Sequence, residues 1–187
     1  VERYGQQATY YNATKVFDVS QTTCRQEGRP SPELNDLDAL RSVSNSRLFD
    51  ILVREDLPDG LEAAYIPKIN EVWVQDGLNA QETRAALLRE TAHYFFSQAS
   101  DYERSPQTNF EAYTSAYLVS TYFGLDTRED LMPLPKEAFP DTVKTGAEIR
   151  ESVSSALRTS RAMCETMEMT LEKLGTQLYT QTEEVSR

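Results

Sequence analysis

The chain of 187 residues has one histidine, two cysteines and one tryptophan. Each scarcity removes a class of function. With His93 alone, no site can be built on two or three imidazoles, as most catalytic zinc centres are. Cys24 and Cys164 lie far apart, the first in a polar loop and the second in an expected helix. Such usage fits reduced cytosolic thiols better than a secreted disulfide framework. No apolar run approaches the roughly 20 residues that cross a bilayer, and no charged-then-apolar stretch opens the chain as a secretory signal would. A cytoplasmic protein without membrane contact is expected. Basic charge is also short: 19 Lys and Arg against 30 Asp and Glu give a formal net charge of −11. That field repels a phosphate backbone, so direct nucleic-acid binding is not expected.

What is present describes a globular domain. Hydrophobic residues at 39% and charged residues at 26% exclude a disordered or fibrous chain, and the length suffices to bury a core without disulfides. The first residue is Val1 rather than Met, as expected of a processed form or a piece of a longer protein with neighbouring domains. Runs around Ala8–Tyr11 and Lys15–Ser20 read as short strands, and 20–30 as a polar loop. Ser31–Pro32 is an expected helix start, with helical turns carried on through Leu48–Val53. Two β-rich runs, Leu61–Ile66 and Glu71–Gln75, flank a Pro/Asn turn and predict a hairpin. Asn79 with Glu82 forms a capping box opening a helix to about Gln98, with Ala85, Leu88, Ala92, Phe95 and Ala99 on its core face. A second helix is expected from about Thr108 to Phe123, closed by Gly124. Val153, Leu157, Ser160, Cys164, Met167, Leu171, Leu174 and Leu178 then recur at alternating spacings of 4 and 3, a heptad seam that needs a partner surface. The domain's own helices are the favoured partner. Trp73 and the aromatics of the two central helices are expected in the core rather than in a peptide groove.

The stretch with chemical content is Leu87–Leu88–Arg89–Glu90–Thr91–Ala92–His93. On a zincin helix, two histidines at i and i+4 bind Zn²⁺ and the glutamate after the first polarises the metal-bound water. Here Glu90 and His93 stand at the second and fifth positions of that pattern, and Arg89 occupies the first. Taken alone, Glu-x-x-His is an ordinary i,i+3 pair.

The surroundings add to it. Glu111–Ala112, Ala116–Tyr117 and Phe123–Gly124–Leu125–Asp126–Thr127 follow in order, and Val16–Phe17–Asp18–Val19–Ser20–Gln21–Thr22 precedes. From about residue 15 to about residue 175 the chain resembles the ImmA/IrrE-type metallopeptidase-like domain, in the version found in ArdC-like antirestriction proteins of mobile genetic elements. The resemblance implies an α+β, zincin-like fold: a small sheet with a β-hairpin, two central helices carrying a relic metal motif, and a long C-terminal amphipathic helix. It implies an N-terminal strand-and-loop segment over 1–30, a metallopeptidase-like core over 31–127, and a Pro-containing linker with the long helix over 128–187. By the same resemblance His93 and Glu111 stand at metal-ligand positions and Glu90 at the water-activating position. Arg89 departs from it. A guanidinium has no lone pair to donate and brings a positive charge beside a cation. No bound cofactor is therefore expected, unless Asp101, Glu103 or a thiol rescues a zinc site. Arg89 is expected instead to reach Glu111 and fill the charge vacancy. The expected function is a non-catalytic metallopeptidase-like module of a plasmid, conjugative-element or phage protein, acting through a protein partner or through other domains of its parent. The alternatives are an active zinc-dependent peptidase using Glu90 with an incomplete His93/Glu111 set, and an antirestriction protein.

Overall fold

The structure, a computed structural model, describes residues 32–58, 60–99, 102–128, 131 and 146–175, together with two short strands near the start. The chain divides into two compact units, Val1–Pro30 and Ser31–Arg187. In the first, β1 (Glu2–Arg3) pairs antiparallel with β2 (Gln6–Gln7). The strands expected around 8–11 and 15–20, and Cys24, lie outside the described residues, as does the linker over 132–145.

In the second unit, α1 (Asp36–Ser44) is capped by Asn35, whose side chain accepts from the Asp38 N–H. Helix formation thus begins after the expected Ser31–Pro32 start, where a side-chain acceptor is available for the first turn's orphan N–H groups. The chain from Leu48 to Val53 is not helical either. Asp50–Arg54 is strand β3, and its β-branched and aliphatic residues pair in parallel with β5 (Glu71–Gln75), Ile51 opposite Val72 and Val53 opposite Val74. Short apolar runs fit either period, and here the neighbouring strand decides. The predicted hairpin is present: β4 (Ala63–Ile66) runs antiparallel to β5, with β5 in the centre of the sheet. Alternation puts Val72, Val74, Ala63 and Tyr65 on the buried face. Trp73 takes the opposite face, where the Arg54 guanidinium lies 4.6 Å from its ring centroid, so it is not a core residue.

Helix α2 (Ala80–Phe96) carries the predicted Asn79/Glu82 capping box. It is buried on every side from Arg84 to His93, so it is the central element rather than an amphipathic surface helix. Phe95 is only partly buried and Ala99, past the helix end, is exposed. Helix α3 (Pro106–Tyr122) opens with Ser105 as cap and Pro106 in its first turn, and Gly124 follows its end at φ +66°. Helix α4 (Gly146–Lys173) packs on α3, α1 and α2. Its buried stripe is Ser152, Ala156, Thr159, Ser160, Met163, Met167, Thr170 and Leu171. This lies to one side of the expected seam: Val153 and Leu157 remain 38% and 42% exposed, and Leu178 lies outside the described residues. Small residues win the centre of the contact because they let α4 approach α3 closely, Ala156 meeting Ser115 through a 3.2 Å hydrogen bond to its carbonyl. Cys164 is half-buried, and burial, aided by Glu168 and Glu165, pushes its thiol up to about 12. It stays protonated. Among the described residues no helix is long and apolar enough to cross a membrane.

One buried cation ties these elements together. Arg84 of α2 pairs through Nε with Asp36 of α1 at 2.8 Å and donates from Nη2 to the Asp126 carbonyl beyond α3 at 2.9 Å. Replacing Arg84 with Met should lower unfolding free energy by about 3 kcal/mol in urea titration, since the carboxylate loses its counter-charge and the carbonyl a charged donor. A loss below about 1 kcal/mol would show that the pair does not hold α1 and α3 to α2.

Candidate functional site

Glu90 sits mid-way along the buried helix, 5% exposed, and its side chain points to the edge of β4. There Oε2 accepts the Tyr65 N–H at 2.6 Å. Because β4 is a sheet edge, that N–H has no strand partner, and the carboxylate satisfies it. The same oxygen pairs with the Arg104 guanidinium, from the segment between α2 and α3. Burial pushes the Glu90 carboxyl above its ordinary range, and Arg104 is foremost among the groups that oppose the shift.

His93, one turn on, is 2% exposed. Its Nδ1 lies 3.0 Å from the Tyr102 hydroxyl, and the Asn109 side chain is its other polar partner. Burial, and after it the positive charge of Arg104, push its pKa down to about 3. The imidazole is neutral, so each ring nitrogen has a definite role, one donating and one accepting.

Arg89 is buried and pairs with Glu62, in the turn entering β4. Its guanidinium lies over the Tyr113 ring of α3, 4.8 Å from the centroid, and Nη1 donates to the Leu131 carbonyl at 3.4 Å. The expected Arg89–Glu111 pair does not form. Glu111 accepts from Gln107 Nε2 at 3.1 Å, and Gln107 in turn donates to Ser152 of α4 at 3.0 Å. Residue 111 on this helix is thus directed toward α4, while Tyr113, two positions on, takes the place beside Arg89. Glu103 lines the same outer groove as Glu111, and Asp101 lies outside the described residues.

Arg89, Glu90, His93, Arg104, Asn109 and Tyr113 border one cavity of about 230 Å³, with Glu62 at its rim. Its formal charges cancel: two guanidiniums, two carboxylates and a neutral imidazole. Among the described residues no three His, Cys, Asp or Glu side chains gather in an arrangement that holds a metal ion. The donor chemistry agrees. Glu90 is engaged by Arg104 and a backbone N–H, Glu111 is turned to α4, and two cations face the space a third would enter. These residues do not fit the zinc that the resemblance implies.

Sequence reasoning singled out Glu90, His93, Glu111 and Arg89, and the first two share the cavity with Arg89. It missed Glu62, Tyr102, Arg104 and Asn109, and it expected Tyr113 in the core, where the structure leaves it half-buried on the cavity wall. Arg104 follows Asp101–Tyr102–Glu103, which has the composition of a solvated loop. Glu62 was reachable in principle, because a hairpin directly preceding a buried helix brings its first strand alongside that helix.

The chain is 26% identical to an uncharacterized protein of Bacillus anthracis, pXO2-81, in an alignment covering 81% of this chain and 29% of that protein. It therefore spans less than a third of the length of that relative. No protein-family model matches the chain, and no solved structure matches it.

Glu90 and His93, both on α2, titrate in opposite senses. His93, at about 3 when folded against 6.5 as a free side chain, contributes stability that is full above pH 6.5 and is lost as pH falls toward 3. Glu90, raised above 4.5, contributes stability that is present below pH 4.5 and declines as pH rises through its folded value. Replacing His93 with Asn should flatten the fall in unfolding free energy between pH 6.5 and 4 by up to about 1.4 kcal/mol per pH unit. An unchanged slope in pH-dependent denaturation would contradict the buried neutral imidazole.

Proposed function

We propose that this chain is a degenerate, zincin-like module of a mobile-element protein, without catalysis of its own and acting through protein contacts. The observation carrying this reading is the double ion pair. Arg104–Glu90 and Arg89–Glu62 occupy the positions where the resembled family would place a water-activating base and a metal ligand. Glu90 in that setting is a poor general base. A base must reach the proton it abstracts, and this carboxylate is engaged from two directions. The order of elements supports the fold part of the reading: a β-hairpin, then a helix with Glu90 and His93, then a helix with Glu111. The Bacillus anthracis relative is a plasmid protein by its pXO2 designation, which suits a mobile-element setting, and its greater length suits a module within a larger parent.

Elemental analysis tests the reading directly. Protein purified from zinc-supplemented culture should carry far less than one zinc per chain, and chelator should leave its thermal midpoint unchanged. One tightly bound equivalent, lost together with thermal stability on chelation, would overturn it. So would cleavage of a peptide library that Glu90→Gln abolishes.

A further inference from the structure

The cavity beside His93 is richer in hydrogen-bond donors than in acceptors. A guanidinium carries five N–H groups. The named partners of Arg89 are Glu62 and the Leu131 carbonyl; those of Arg104 are Glu90 and Tyr102. The Asn109 amide and the Tyr113 hydroxyl border the same space. The two carboxylates that balance this wall differ in how firmly they are held. Glu90 is buried within a helix and bound from two directions. The Glu62 side chain is 39% exposed and stands two residues after Gly60, which has φ +83°. An ion pair with one partner this exposed holds only weakly against water.

We propose that Glu62 is an internal stand-in for a ligand, and that Arg89 is a receptor for a peptide carboxylate, from an acidic side chain or a C-terminus, which displaces Glu62. The guanidinium is already fixed over the Tyr113 ring, so little side-chain freedom is lost on binding, and its fork matches a carboxylate with two parallel hydrogen bonds. The exchange swaps one carboxylate for another. Before and after the exchange the buried Arg89 charge is paired, and the displaced Glu62 carboxylate returns to water. Size sets the class of ligand. A space of about 230 Å³ takes a group the size of a side chain and lies below the roughly 300 Å³ at which cofactor-sized pockets begin. The overall charge of −11 slows the encounter with an acidic partner, while the contact itself forms within a Debye length of the two arginines.

The proposal rests on the metal-free reading of the cavity, and the tests separate: zinc analysis addresses that reading, and peptide titration addresses this one. The probes are N-acetylated alanine pentapeptides with a central glutamate or glutamine and an amidated C-terminus, plus the glutamine peptide with a free C-terminal carboxylate. They are titrated by calorimetry into the full chain. At least one of the two carboxylate peptides should bind, and the better of them identifies the source. Glu62→Gln should tighten that peptide about tenfold by removing the internal competitor, and Arg89→Lys should weaken it by about the same factor while circular dichroism shows an unchanged fold. Equal binding of the neutral amidated glutamine peptide, no binding of either carboxylate peptide, or indifference to Glu62→Gln in folded protein would overturn the proposal.

Discussion

A carboxylate in the middle of a buried helix must be compensated, and that requirement organises this domain around Glu90. It is almost withdrawn from solvent, so its ionised form depends on Arg104 and on the Tyr65 N–H. An unpaired charge in this position would cost several kcal/mol. The edge of the sheet and the segment between the two central helices are consequently tied to one oxygen. The long C-terminal helix then closes the other side of α3 through small residues and Met163, Met167 and Leu171.

From this pairing follows the character of the cavity. Arg104 lies close enough to depress His93, which stays neutral between Tyr102 and Asn109. Arg89 is left to find another anion, and with Glu111 turned toward Gln107 and α4 the available one is Glu62. The two ion pairs give an electrically balanced pocket that needs no metal for its charge. A divalent cation entering it would meet two guanidiniums on the wall.

Much of the fold was legible from local chemistry. The Asn79–Glu82 box, the Gly124 stop and the alternation of β4 and β5 each follow from a few adjacent residues, and each is where those residues place it. Misreadings came where partners distant in sequence decide. Residues 50–54 are strand because β5 offers them a parallel edge, and a short aliphatic run does not announce which period it will adopt. The α4 seam shifted because helix-to-helix distance, set by Ala156 and Ser152, governs burial more than side-chain size does. In the site, Arg89, Glu90 and His93 of one helix were singled out by the resemblance, with their spacing as a weak local signal. Their partners Glu62 and Arg104 sit in loops whose sequences resemble any solvated surface, and Glu111 faces a helix that the motif does not include.

The central claim is that Arg104 and Glu90 depend on one another. A double-mutant cycle with Arg104→Met, Glu90→Leu and the double variant, followed by urea denaturation at pH 7, measures that dependence directly. The account predicts a coupling of about 2 kcal/mol or more, with the double variant more stable than Arg104→Met alone because the stranded carboxylate is gone. Additive losses, with coupling below about 0.5 kcal/mol, would contradict it.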